Sequence, residues 1–83
     1  MSPEVKAKWI EALRSGRYRQ CIGRMSRLDA KGCSYCALGV LRVIGGRREE
    51  VLLRPDLRDY IINLNDRLKL SFEEIADSLE DLL

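Results

Sequence analysis

Apolar residues recur at helical spacing in three stretches of this 83-residue chain, and a fourth stretch is apolar on nearly every side. In the first, Val5, Trp9, Ala12 and Leu13 form one stripe, as a helix with 3.6 residues per turn requires. Ser2 suits the cap, Pro3 the first helical position and Glu4 the positive end of the helix dipole. Gly16 supplies the stop, because glycine tolerates the left-handed backbone at a helix end. Residues 17–32 lack periodicity and read as a loop. A short hairpin is expected over about residues 23–28 and 33–36, turning through Asp29, Ala30, Lys31 and Gly32. A second helix is expected from residue 34 or 35 to 44. Its Ala37, Leu38, Val40, Leu41 and Ile44 leave little polar surface, so it should be the central buried element. Gly45 and Gly46 end it. Residues 47–54 form a charged connection around Val51, Leu52 and Leu53, as a short helical turn or an extended strip.

The third stretch opens at Pro55 with Asp56 as its cap, and Leu57, Tyr60, Ile61 and Leu64 repeat at i, i+3, i+4 and i+7. Asn65 and Asp66 begin its exit. The fourth has the strongest local signature. Ser71 and Glu74 form a capping box, Leu70 and Ile75 a hydrophobic staple across it, and Phe72, Ile75, Ala76, Leu79 and Leu82 or Leu83 the stripe. The expected fold is α+β, mainly α: a compact four-helix domain with a short β-hairpin between helices 1 and 2, a single domain over 1–83. Its core would be Trp9, Leu13, Leu38, Leu41, Ile44, Tyr60, Ile61, Leu64, Phe72, Ile75 and Leu79.

Charge adds an asymmetry. Residues 1–48 carry eleven Lys and Arg against three acids, and residues 49–83 carry four against ten, so balances of +8 and −6 sum to the net +2. Either the halves attract each other, within the fold or between subunits, or they form separate faces for separate partners. A charged fraction of 34%, with no apolar run near the roughly 20 residues of a membrane span, argues against a membrane protein. The opening residues carry no basic-then-apolar leader, so the expected location is cytoplasmic.

Chemistry is sparsely represented. The three cysteines, Cys21, Cys33 and Cys36, are an odd number, which suits reduced thiols better than a disulfide framework. Cys33 and Cys36 form a C-x-x-C, yet structural zinc takes four ligands, and with no histidine Asp29, another carboxylate or another chain would have to complete the set. Neither a metal nor a cofactor is expected. Without histidine, the usual base for a Ser or Cys nucleophile is missing, and the glycines follow no phosphate-loop spacing, so no enzyme is expected. Arg14, Arg17, Arg19, Arg24, Arg27 and Lys31, with Tyr18 among them, could hold a nucleic acid, a nucleotide or an acidic protein surface. They could equally be dispersed and solvating. Glu73, Glu74, Asp77, Glu80 and Asp81 line the outer face of the fourth helix. That helix resembles the first half of a helix-turn-helix, but as a groove reader its acidic face would be repelled by phosphates.

Three segments occur in order: W-I-E-A-L-R-S-G-R-Y-R-Q (9–20), C-A-L-G-V-L (36–41) and L-N-D-R-L-K-L-S-F-E-E-I-A-D-S-L-E (64–80). Together they resemble a family of small phage and prophage proteins patterned W-x-x-A-L-R-S-G-x-Y-x-Q, C-C-L-G-V-L-C and L-N-D-x-G-x-S-F-x-x-I-A-D. Ala37 and Arg42 stand where that pattern has cysteines, and Leu68-Lys69 replaces its glycine turn. The resemblance implies phage origin and a compact helix-rich fold, and transfers no residue role. The expected function is a non-enzymatic phage-encoded protein that occupies the surface of a host protein or protein complex in the host cytoplasm, of an anti-defence (anti-CRISPR) kind. The alternative is a small nucleic-acid or nucleotide-binding module using residues 14–31. A homo-oligomer fits either.

Overall fold

The computed structural model describes residues 3–30 and 32–82. Along the chain it places α1 (Pro3–Arg14), β1 (Arg19–Gln20), β2 (Ser26–Asp29), β3 (Gly32–Tyr35), α2 (Ala37–Leu52), α3 (Pro55–Ile62), a π turn (Asn63–Arg67) and α4 (Phe72–Leu82). The mainly α, α+β fold is therefore as expected, with four helices and a small sheet among the described residues. Ser2, Lys31 and Leu83 lie outside them.

The core forms where α1, α2, α3 and α4 turn their apolar faces together. Trp9, Ile10, Ala12 and Leu13 meet Ala37, Leu38, Val40 and Leu41, with Ile61, Leu64, Phe72, Ile75, Ala76 and Leu79 closing the other sides. The Trp9 indole N–H donates to the Ala37 carbonyl at 2.9 Å, which satisfies the only polar atom of a fully buried ring. Ile44 is half-buried and packs on this cluster. Tyr60 departs from the expectation: it is 42% exposed. The inward face of this segment is carried by Leu57, Ile61, Leu64 and Asn65, leaving Tyr60 on its flank.

Three boundaries differ from the pattern-based reading. Residues 34 and 35 belong to β3, and α2 begins at Ala37. Cys36 precedes it as a cap residue does. Its sulfur accepts the Gly39 N–H at 3.4 Å and its carbonyl the Val40 N–H at 3.1 Å. Gly46, at φ 83 and ψ 170, interrupts α2 as expected, but helical turns resume beyond it to Leu52. Asp56 is not the cap of α3. Arg54 holds that position without a side-chain cap bond, and Asp56, in the first turn, pairs with the Arg54 guanidinium at 2.7 Å. At α4 the capping box forms as read: Ser71 N donates to Glu74 Oε1 at 3.0 Å and Glu74 N to Ser71 Oγ at 3.2 Å.

The sheet has three strands in the order β1-β3-β2. The hairpin of β2 and β3 is antiparallel, with Ser26 opposite Tyr35 and Asp29 opposite Gly32. β1, read from sequence as loop, pairs parallel to β3 through Arg19–Ser34 and Gln20–Tyr35. Two residues are too few to show any alternation, so pairing with an existing strand is what makes them extended.

Gly39 marks a close approach of α2 to the segment before β2. A Cβ there would lie 2.1 Å from the Met25 carbonyl oxygen, well inside contact distance of backbone that is itself held by the Cys36 N–H at 3.0 Å. Gly39→Ala is expected to lower stability by about 1–3 kcal/mol, as overpacking does. Urea unfolding measures this, and a variant as stable as the parent contradicts the approach.

Candidate partner-binding cleft

Asn65 is 1% exposed, and four hydrogen bonds converge on its carboxamide. Its oxygen accepts Gln20 Nε2 at 2.9 Å and the Ala37 N–H at 3.3 Å. Its nitrogen donates to the Cys21 carbonyl at 2.9 Å and to Asp66 Oδ1 at 2.7 Å. Two donors and two lone pairs are the full capacity of an amide. Gln20 donates in addition to the Leu70 carbonyl at 2.7 Å. The end of β1, the start of α2 and the π turn are thus held at one point. Sequence reasoning placed Asn65 at a helix exit. The signal that could have found it was its spacing: it stands at i+4 from Ile61 and beside Leu64, on the apolar stripe.

Above this point lies a cleft of about 230 Å³ between the 22–25 bend and α3. Met25, Leu38, Ile61 and Ile62 give it apolar walls. Arg24 and Arg58 line it from opposite elements, and Asn65, Asp66 and Cys36 contribute its polar atoms. Of these walls Ile62 is 39% exposed, and Ile22, next to Gly23 in the chain, is 49% exposed. The Cys36 thiol is shifted upward from its ordinary pKa, mainly by burial, so it is held as the neutral thiol.

The other residues singled out from sequence are divided among several places. Arg14, at the end of α1, donates to Asp77 Oδ1 and to Glu80 Oε1 on α4, both at 2.5 Å. One basic candidate and two acidic ones are therefore partners of each other within the fold. Arg19 bonds Asp29 at 3.2 Å. Glu74 serves the capping box. Glu73 and Asp81 stay on the exposed face of α4. Arg17 and Tyr18 line a separate hollow of about 330 Å³ between α1 and α2, with Lys8, Glu11, Val43 and Ile44. Tyr18 meets Tyr35 edge to face, ring centres 5.8 Å apart. Arg27 lies on β2. Lys31 lies outside the described residues. The arginines of 14–31 thus form no single cationic patch: only Arg24 lines the cleft.

The cysteines are free thiols, with Cys21 and Cys36 buried and Cys33 exposed. Among the described residues, no three Cys, His, Asp or Glu side chains gather as metal ligands, and no helix is long and apolar enough to cross a membrane.

Over residues 1–57 the chain matches the family described as a domain of unknown function (DUF8296). That span holds α1, the sheet, α2 and the first turn of α3. No curated protein and no solved structure matches the chain.

The α1–α4 ion pairs have a pH signature. Arg14 holds the Glu80 carboxyl below its ordinary value, first by hydrogen bonding and then by charge. A depressed carboxyl adds stability above its unfolded pKa, near about 4.3, and loses it as pH falls through its folded value. Glu80→Gln is expected to melt below the parent at neutral pH, with the gap closing below about pH 4. A gap of equal size at neutral and acidic pH, in thermal scans, contradicts this pairing.

Proposed function

We propose that this protein, which belongs to the DUF8296 family of unknown function, is a non-enzymatic binding protein that seats a partner protein's side chains in the cleft between the 22–25 bend and α3. The cleft carries the reading. At about 230 Å³ it is smaller than the roughly 300–1,000 Å³ of sites that engulf small organic ligands, and it has room for one or two protruding side chains. Apolar walls with arginines on two sides are the composition of a protein-interface anchor. The complementary partner presents an apolar side chain flanked by a carboxylate, which the Arg24 guanidinium meets in bidentate geometry. With the resemblance in residues 9–20, 36–41 and 64–80, this supports a phage-encoded protein that occupies the surface of a host protein in the host cytoplasm, as an inhibitor of bacterial defence of anti-CRISPR kind does.

A second reading has its own observation. Arg17, Lys8 and Tyr18 meet in the α1–α2 hollow beside Glu11, where a phosphate and a stacked base would find two cations and a ring against one carboxylate. This is the nucleic-acid or nucleotide alternative, on a different surface from the cleft.

Affinity capture from bacterial lysate, with and without nuclease, separates the two. One defined host protein should be retained after nuclease treatment. It should be lost with Arg24→Glu plus Arg58→Glu and kept with Arg17→Ala plus Tyr18→Ala. Capture that disappears with nuclease, or that depends on Arg17 and Tyr18 instead, contradicts the cleft reading.

A further inference from the structure

We propose that Cys21, Cys36 and Met25 form a binding site for one soft, monovalent metal ion of the Cu(I) class, at the end of β3 and bordering the cleft. Three of the chain's five sulfurs, from three Cys and two Met, come together there. The register of the sheet brings them into one row. β1 pairs parallel to β3 with Gln20 opposite Tyr35, and the Cys21 N–H donates to the Tyr35 carbonyl at 2.9 Å. One step on, Cys21 stands beside Cys36. β2 pairs antiparallel to β3 with Ser26 opposite Tyr35, and the Cys36 N–H donates to the Met25 carbonyl at 3.0 Å. Met25 is therefore beside Cys36 on its other flank.

Laterally adjacent residues of a sheet share a face, with Cβ atoms about 4.5–5.5 Å apart, a span that two thiols and a thioether close around one ion. Burial agrees: Cys21 and Cys36 are each 8% exposed, and Met25 packs against the core. Side-chain contacts draw the row together. The Cys21 thiol donates to the Arg24 carbonyl at 3.4 Å, which leans it toward the Met25 end of the bend. Cys36 Sγ accepts the Gly39 N–H at 3.4 Å, and Met25 Cγ lies over the same glycine, 3.3 Å from where a Cβ would stand. Burial is the main cause that raises the Cys36 thiol, and nearby Cys21 is a further one. Met25 and Cys36 both line the cleft, which is the ion's way in.

The donor set selects the ion. Thiolates and thioethers are soft ligands that favour Cu(I). Structural zinc takes four ligands, and among the described residues no third Cys, His, Asp or Glu side chain joins the two thiols. As each thiol sulfur bonds the metal its proton leaves to solvent, so two thiolates around a monovalent cation carry one net negative charge. That charge falls at the start of α2, where the helix dipole favours an anion. Arg24 lines the cleft beside it. Arg42 Nη1, which donates to Met25 Sδ at 3.4 Å, adds a second cation and leaves a thioether lone pair for the metal. The site rests on the register and the donor set, independently of any partner protein in the cleft.

Reduced protein under anaerobic conditions, titrated with Cu(I) against the chelator bicinchoninate, should take up one ion per chain, and native mass spectrometry should show the same stoichiometry. Cys21→Ser and Cys36→Ser should each weaken binding by roughly 100-fold or more, and Met25→Leu, which keeps the size and removes the thioether, by roughly tenfold. Cys33→Ser should leave binding unchanged. Circular dichroism checks that each variant folds. The unsubstituted protein gives an independent reading: bound Cu(I) should slow alkylation of Cys21 and Cys36 by iodoacetamide and leave exposed Cys33 at its original rate. Cu(I) left entirely on the chelator, binding that depends on Cys33 instead, or alkylation of Cys21 and Cys36 indifferent to the metal overturns the proposal.

Discussion

The carboxamide of Asn65 uses all four of its hydrogen-bonding positions inside the protein, and each bond ends on a different piece of chain or on a neighbour that steadies it. Its orientation follows from chemistry. Exchanging oxygen and nitrogen would set a donor against the Ala37 N–H and an acceptor against the Cys21 carbonyl. The Ala37 N–H is one of the donors at a helix start that lack an intrahelical partner, and Asn65 supplies that partner from a distant part of the chain. On the other side of Ala37 its carbonyl receives the Trp9 indole. One residue of α2 is thereby tied to α1 and to the π turn, and β1 is drawn in through Gln20 and Cys21. Beyond the π turn, Lys69 stands at φ 54 and Leu70 N bonds back to the Leu64 carbonyl at 3.0 Å, a closure of the kind that seals helix ends. The cleft lies directly over this junction, so its shape depends on it.

Some of the opposite charges of the two halves meet within the fold. Arg14 joins the end of α1 to two acids of α4, and α1 packs on both α2 and α4. Of the two readings of the charge asymmetry, attraction between the halves is the one these Arg14 pairs with Asp77 and Glu80 fit. Exposed pairs of this sort contribute little energy each, but they set which acids and bases are left for a partner. Of the candidates read from sequence, the others are dispersed: Arg24 at the cleft, Arg17 in the α1–α2 hollow, Arg27 on the sheet edge, and Glu73 and Asp81 on the outer face of α4.

The helices were legible because their signals are local. Pro3 and the Trp9 stripe define α1, and the Ser71–Glu74 box defines α4 with its observed bonds. The hairpin was legible only approximately, since β2 carries one apolar residue, Leu28, and that residue faces solvent. β1 was not legible, because Arg19 and Gln20 become a strand only through β3. Asn65 and Tyr60 were exchanged in the reading for one reason: hydropathy ranks Tyr60 as the better core residue, whereas burial of Asn65 is made favourable by four partners that no local window contains. The candidate arginines were visible as a group, and their dispersal over four places was not, because it depends on how α1 and the 17–29 segment pack on the rest of the fold.

The central claim is that a single fully bonded buried amide organises the junction of β1, α2 and the π turn. Asn65→Leu keeps the side chain's approximate size and leaves the Cys21 carbonyl, the Ala37 N–H and the Gln20 amide without this partner. Equilibrium urea unfolding is the direct measurement. The predicted result is a loss of about 2–4 kcal/mol, and a loss below about 0.5 kcal/mol, the range of an ordinary surface substitution, would contradict the claim.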